Sequence, residues 1–216
     1  LTQLKKQEQY DWLNLSGSQS LQQSIVNMDK AFTRFFKQKK GFPKFKSKHV
    51  GTHHVGFPQK TKIDFEAGKV SLPKLGWVKT KISREFYGNI KTSTIEKTPT
   101  NKFFISITVE LSDVKVKQKP ISKKNAVGID TGIKTFATLS DGTKIENPKH
   151  LKSSIKRLKV LQRRASKKQK GSSNRRKANL KVALLHEKIS NQRLDFLHKT
   201  TTAIAKQYDT VACENL

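Results

Sequence analysis

The stretch from Ala126 to Ser140, AVGIDTGIKTFATLS, leaves this chain few architectures to choose from. Ala126 to Ile129 is a run of small and β-branched residues, long enough for a strand and too short for a helix. Asp130-Thr131-Gly132 supplies turn chemistry, and Lys134 to Ser140 reads as the returning strand. Asp141-Gly142 marks a second hairpin turn into Thr143 to Glu146. The expectation is a three-stranded antiparallel meander whose first strand ends in a carboxylate.

Three readings of Asp130 are open from this stretch. In the ribonuclease H-like fold the first strand carries an aspartate that holds divalent metal for phosphodiester cleavage. In actin-like ATPases an Asp-Xaa-Gly hairpin cradles nucleotide phosphates. The third reading is a turn cap, since aspartate is common before glycine in turns. A partner acid favours the first, and the chain supplies one: DTVACENL, Asp209 to Leu216, reads as a helix exit and a short buried strand with Glu214 at its carboxyl end. If that strand lies parallel beside Ala126 to Asp130, both carboxylates reach the end of the sheet where ligands gather. Two carboxylates suit Mg²⁺, which takes hard oxygen ligands and completes its shell with water and phosphate oxygens.

Net charge then narrows the partner. At +29, with a pI near 10.3, the chain repels itself unless a polyanion neutralises it, which points to nucleic acid. The excess is concentrated. Between Lys149 and Leu185 there are fourteen Lys or Arg and no acid. Asn147-Pro148 should open a helix there, with proline at the first helical position and Leu151, Ile155, Leu158 and Leu161 on one face. A turn at Gly171-Ser172-Ser173-Asn174 should separate it from a second helix, roughly Arg175 to Gln207, carrying Leu194, Leu197, Thr201, Ile204 and Tyr208 at heptad-like spacing. Unpaired like charge along a helix is unfavourable, so phosphate contact is expected at Lys152, Lys156, Arg157, Lys159, Arg163, Arg164, Lys167, Lys168, Arg175, Arg176 and Lys177.

Upstream, Leu1 to Lys40 reads as helical, with Leu21, Ile25, Met28, Phe32 and Phe36 forming an apolar stripe and Ser16 to Ser20 supplying a cap. The segment that follows interleaves aromatics with lysines, which suits base stacking combined with backbone neutralisation. Phe32 and Phe36 belong to the stripe and are expected in the core, leaving Phe42, Lys44, Phe45 and Lys46 as contact candidates. From Thr52 to Leu111 the period changes to two. Phe103, Ile105, Ile107, Val109 and Leu111 should line a buried face, preceded by a strand over Asn89 to Lys97 and a Thr98-Pro99-Thr100-Asn101 turn. Shorter strands at Val70 to Leu72 and Trp77 to Ile82 complete what reads as a small β-barrel. Ser112 to Asn125, polar and rich in lysine, reads as a linker.

Cys213 is the one cysteine in the sequence, which excludes an internal disulfide framework and a four-cysteine zinc site; it is expected to pack as a small hydrophobe. His49, His53 and His54 fall in a loop rich in Gly and Lys, without trusted metal-ligand spacing. The first residues are not those of a signal peptide, and no apolar run approaches the ~20 residues of a membrane span. A cytoplasmic location, with no membrane partner and no small-molecule substrate, is the expectation.

VGIDTGIKTFATLSDGTKIENPKHLKSSIKRLKVLQRR and LHEKISNQRLDFLHKTTTAIAKQYDTVACENL closely resemble the OrfB-type proteins, known as TnpB, of prokaryotic insertion sequences. The resemblance extends upstream through FPKFKSK and VSLPKLGWVKTKISR. It implies an RNA-guided DNA endonuclease related to type V CRISPR effectors, with guide RNA and target DNA as partners and Mg²⁺ as cofactor. It matches Asp130 and Glu214 to the catalytic, metal-binding acids, with Asn215 where the family usually has aspartate. The implied fold class is α+β: a helical recognition segment over 1–48, a wedge β-barrel gripping guide RNA over 49–111, a linker over 112–125, and over 126–216 an incomplete ribonuclease H-like (RuvC) α/β domain with a long basic helical hairpin. The family's third catalytic aspartate and its zinc ribbon lie beyond the position of Leu216, and Leu1 falls inside the recognition segment. The chain therefore reads as a fragment, a truncated reading frame or a decayed copy, without zinc, with weak metal binding and little or no cleavage alone. A non-catalytic nucleic-acid-binding relic is the alternative. An actin-like ATPase is the poorer one, because no second Asp-Xaa-Gly hairpin or adenosine site follows Glu214.

Overall fold

A computed structural model describes residues 1–44, 52–111 and 125–214. The chain is mixed α+β and divides into two compact units, Leu1–Lys115 and Val116–Leu216. The expected contacts at Phe45 and Lys46 and nearly all of the expected linker lie outside the described residues.

In the first unit, two short 3₁₀ turns, Leu4–Lys6 and Glu8–Leu15, precede helix α1, Ser18–Gln38. Of the segment expected to be helical over Leu1 to Lys40, the part before the expected cap forms only 3₁₀ turns, and the α-helix starts at Ser18. Gly17 takes the extended N-cap conformation and no side chain caps the helix, so the serines do not do the job expected of them. The stripe is also less buried than its period suggests. Leu21 and Phe32 are half-buried, but Ile25, Met28 and Phe36 are exposed, Phe36 at 73%. α1 meets the sheet elsewhere on its surface, where Gln23 comes close to Gly56 and the Gln19 amide donates to Gln59 Oε1 at 3.0 Å. Phe42 packs edge-on against Phe32 and Phe35, with ring centroids 5.7 and 5.3 Å apart, while remaining 61% exposed.

Two three-stranded antiparallel sheets follow, one ordered β1-β5-β6 (His53–Phe57, Asn89–Lys97, Phe103–Glu110) and one ordered β2-β3-β4 (Lys62–Asp64, Lys69–Leu72, Gly76–Lys79). The β5–β6 hairpin turns at Thr98–Asn101, where Thr98 accepts from Asn101 and donates to Lys102, and Asn101 adopts the left-handed conformation that asparagine tolerates. Ile105, Ile107 and Val109 of β6 are half-buried on the expected face, though Phe103 at its start and Leu111 just past its end are exposed. Phe57, Val70 and Leu72 form the core, with Ile63, Ile95 and Ile105 packed against them. The buried Thr61 and Ser93 hydroxyls share a hydrogen bond of 2.6 Å. Among the described residues the two sheets stay open, and the expected closed barrel does not form. Closure needs staggered, tilted strands long enough to bridge both edges, and β2, β3 and β4 have three or four residues each.

The second unit holds a four-stranded sheet ordered β10-β7-β8-β9. β7 (Ala126–Thr131), β8 (Thr135–Leu139) and β9 (Lys144–Glu146) are the expected meander, and β10 (Thr210–Cys213) lies parallel to β7. Gly142 at φ 88° makes the second turn possible, and Asp141 Oδ1 accepts from the Thr143 amide at 2.9 Å. At the first turn, a Cβ on Gly132 would sit 2.9 Å from the Thr135 carbonyl oxygen, so the close approach there requires glycine.

Helix α2 runs His150–Ser166 and α3 Ser173–Gln207. Pro148 does not occupy the first helical position. Instead Asn147 donates to the Ile133 carbonyl oxygen and accepts from Lys149 N, while Lys149 turns left-handed as the N-cap. Leu158, Leu185 and Ile189, with Leu161 and Val182, hold the hairpin together. Leu151 and Ile155 of the expected face are exposed, and Ala165 is buried in the final turn instead. Beyond the hairpin, α3 reaches the sheet through Phe196, whose ring meets Phe136 edge-on at 5.0 Å.

Candidate functional site

Parallel pairing of β10 with β7 sets the site. Thr210, Val211, Ala212 and Cys213 stand opposite Ala126, Val127, Gly128 and Ile129 in unbroken register. The pairing ends at Cys213 and Ile129, and Glu214 and Asp130 are the residues that follow each of them. Local sequence accounts for the arrangement: Val127 is 1% exposed and anchors β7, after which the strand runs out into Asp130 and Thr131, both exposed. Glu214 is exposed as well.

Among the described residues, no side-chain hydrogen bond or ion pair engages either carboxylate. Asp130 therefore does not act there as a turn cap. Asp141, in the next turn, has that function. Two exposed carboxylates at adjoining strand ends can share a divalent cation, whereas the described residues contain no group of three or more acids, histidines or cysteines able to do so.

β10 itself differs from expectation. It forms an edge of the sheet, and Val211, Ala212 and Cys213 are exposed rather than buried. An edge strand has a neighbour on one side, and this one is half-buried at Thr210 and exposed from Val211 on. Sequence reading also passed over the contacts at its root. Tyr208 donates its phenol proton to Asp141 Oδ2. Asn125 Nδ2 donates to the Gln207 carbonyl at 3.1 Å and to Asp209 Oδ2 at 3.2 Å, and Asp209 N donates to the Asn125 carbonyl at 3.1 Å. Asp209 and Asn125 each border a strand in sequence, which was the available signal.

The cations divide by helix face. Leu158, Leu161 and Ala165 turn α2 toward α3. Lys152, Lys156, Lys159 and Arg163, spaced four, three and four apart, lie on one exposed side and Arg157 and Arg164 on another, while Lys168 is exposed just past the helix end. Lys167, Arg176 and Lys177 are exposed near the hairpin turn. Arg175 is different: it is half-buried, and its guanidinium donates to the Lys168 carbonyl at 3.0 Å, closing the turn together with the Arg175 amide on Ser172 Oγ. Lys44 in the first unit is exposed. No helix among the described residues is long and apolar enough to cross a membrane.

Known proteins agree with the resemblance seen in the motifs. The chain is 38% identical over 216 residues to an Escherichia coli K12 protein named "Putative RNA-guided DNA endonuclease InsQ", across all of this chain and 52% of that protein. It is 34% identical over 219 residues to a "Putative RNA-guided DNA endonuclease" of Streptomyces pristinaespiralis, across all of this chain and 53% of the other. A Mycobacterium tuberculosis CDC 1551 protein of the same description is 24% identical over 191 residues, or 82% of this chain and 41% of that one. The chain thus spans about half the length of the first two relatives. Residues 106–216, from β6 through the meander, the basic hairpin and β10, match the family model OrfB_IS605, described as a probable transposase, and the chain belongs to that insertion-sequence transposase family.

Proposed function

We propose that this chain contributes the nucleic-acid grip and two metal-binding carboxylates of an RNA-guided, Mg²⁺-dependent DNA endonuclease. Asp130 and Glu214 are the ligands, and the α2–α3 hairpin receives the sugar–phosphate chain. The parallel β10–β7 register carries this reading, because its last partners, Ile129 and Cys213, are followed at once by Asp130 and Glu214, acids 84 positions apart in sequence. The names of the relatives support guide RNA and target DNA as the partners. The strand order β10-β7-β8-β9, with the crossover through α3, supports a ribonuclease H-like core of the RuvC kind over 126–216. The two upstream sheets and α1 are the wedge and recognition segments.

The donor set fits the metal. Exposed carboxylate oxygens are hard ligands, and Mg²⁺ keeps several waters and takes phosphate oxygens besides one or two carboxylates. When bound, the metal supplies Lewis acidity to an attacking water and to the leaving oxygen. Asp130 and Glu214 hold negative charge at one point of the sheet, while Lys152, Lys156, Lys159, Arg163 and their neighbours neutralise phosphates and orient the strand.

The test uses the protein expressed from its own locus and purified with the RNA that it retains. Cleavage of a DNA matching that RNA should require Mg²⁺ and be lost in Asp130→Ala and in Glu214→Ala, with RNA retention unchanged. Wild-type cleavage by either variant would overturn the assignment.

A further inference from the structure

Asn125, Asp141 and Tyr208 stand away from the carboxylate pair, yet they hold the strand that bears one of its members. β10 is four residues long and exposed from Val211 on, with Thr210 only half-buried, so side-chain packing does little to fix where it starts. A slip of one residue turns every side chain over and changes every partner. Moved one way, Cys213 would stand beside Asp130; moved the other, Asn215 would. Neither is an anionic oxygen ligand.

What fixes the start is a closed circuit of hydrogen bonds. Ser140 N donates to the Gly128 carbonyl at 2.9 Å, and Gly128 N donates to Ser140 Oγ at 3.0 Å, so the β8–β9 turn is tied to β7. Next in sequence, Asp141 takes the Thr143 amide on Oδ1 and the Tyr208 phenol on Oδ2. Tyr208 is the C-cap of α3, its own amide bonded to the Ile204 carbonyl, and stands two residues before β10. The phenol therefore references the start of β10 to β7 itself. Asn125, immediately before β7, makes the second tie, through the Gln207 carbonyl and Asp209 Oδ2.

We propose that Asn125, Asp141 and Tyr208 are positioning residues that latch the root of β10 in register, so that Glu214, and not a neighbour, meets Asp130. This rests on the reading of Asp130 and Glu214 as metal ligands.

Hydrogen exchange of the 210–213 amides and Mn²⁺ affinity, measured on residues 1–216, test it together. In Tyr208→Phe and Asp141→Ala the β10 amides should exchange roughly tenfold faster, while amides around Leu185 to Ile189 stay unchanged. The double variant should be no worse than Asp141→Ala alone, because that change already removes the Tyr208 bond together with the Thr143 amide bond. Asp141→Asn, which keeps an acceptor oxygen, should restore part of the protection. Mn²⁺ affinity should fall in the same order. Unchanged exchange in Tyr208→Phe overturns the latch. Faster exchange with unchanged Mn²⁺ affinity, where that binding depends on Asp130, overturns the positioning role. Absence of Asp130-dependent Mn²⁺ binding in the wild-type chain overturns instead the metal-site reading beneath the proposal.

Discussion

Ile129 and Cys213 are side-by-side partners on parallel strands, and Asp130 and Glu214 are the residues that follow them. Placed so, the acids depend on each other for any shared ion. Isothermal titration of residues 1–216 with Mn²⁺ should show one weak site, and Asp130→Ala or Glu214→Ala should weaken it by more than the roughly 10- to 100-fold that changes to outer-shell partners cost. Cys213→Ala should leave it unchanged.

Fourteen cations without an acid between Lys149 and Leu185 make a salt-dependent surface. Binding of duplex DNA should fall linearly in log K against log salt, and each phosphate contact removed should flatten the slope by roughly 0.9. Lys156→Gln and Arg163→Gln, both on one exposed side of α2, should each do so in filter-binding titrations. Arg175→Gln should instead lower thermal stability, because its guanidinium closes the α2–α3 turn.

The hairpin has a small core, and its members differ in burial. Leu185 is 8% exposed, and Leu185→Ala should cost about 2–4 kcal/mol in urea unfolding. Leu194, on the same helix, is 49% exposed, and its replacement by alanine should fall within about 0.5 kcal/mol.

Tyr208 and Asp141 give the second unit a pH window. The Tyr208 phenol, followed by the Thr143 amide, holds the Asp141 carboxyl below its ordinary value, and accepting that phenol proton raises Tyr208 above its own. A depressed carboxylate contributes stability above its unfolded value and loses it as pH falls through the folded one. A raised phenol contributes below its unfolded value and loses it as pH rises through the folded one. The stability difference between wild type and Tyr208→Phe should therefore be flat at neutral pH and shrink at both extremes, as followed by urea titration across pH.

The meander was legible because everything that sets it is local. Asp141-Gly142 is a turn wherever it occurs between strands, and the Thr98 to Asn101 turn reads the same way. The α2–α3 boundary is equally local, with Ser172 capping α3 through the Arg175 amide. Burial was less legible, since it depends on what covers a residue. Cys213 and Val211 have apolar side chains on an edge strand, and the Phe36 ring continues a helical period that no described element covers. Two open sheets in place of a barrel reflect pairings between strands distant in sequence, on which turn chemistry is silent. Of the candidate site, the strand ends that carry Asp130 and Glu214 could be read from the sequence. The bonds from Asn125 and Tyr208 could not, because they depend on the ends of a long helix and a strand meeting.

α3 contains neither glycine nor proline along its thirty-five residues. At 1.5 Å per residue it is a rod about 50 Å long, one end among the cations of the hairpin turn and the other at the root of β10. With no residue in it that favours a kink, the helix fixes the span between the cationic turn and the start of β10, so those two places in the second unit cannot approach one another unless the helix unwinds.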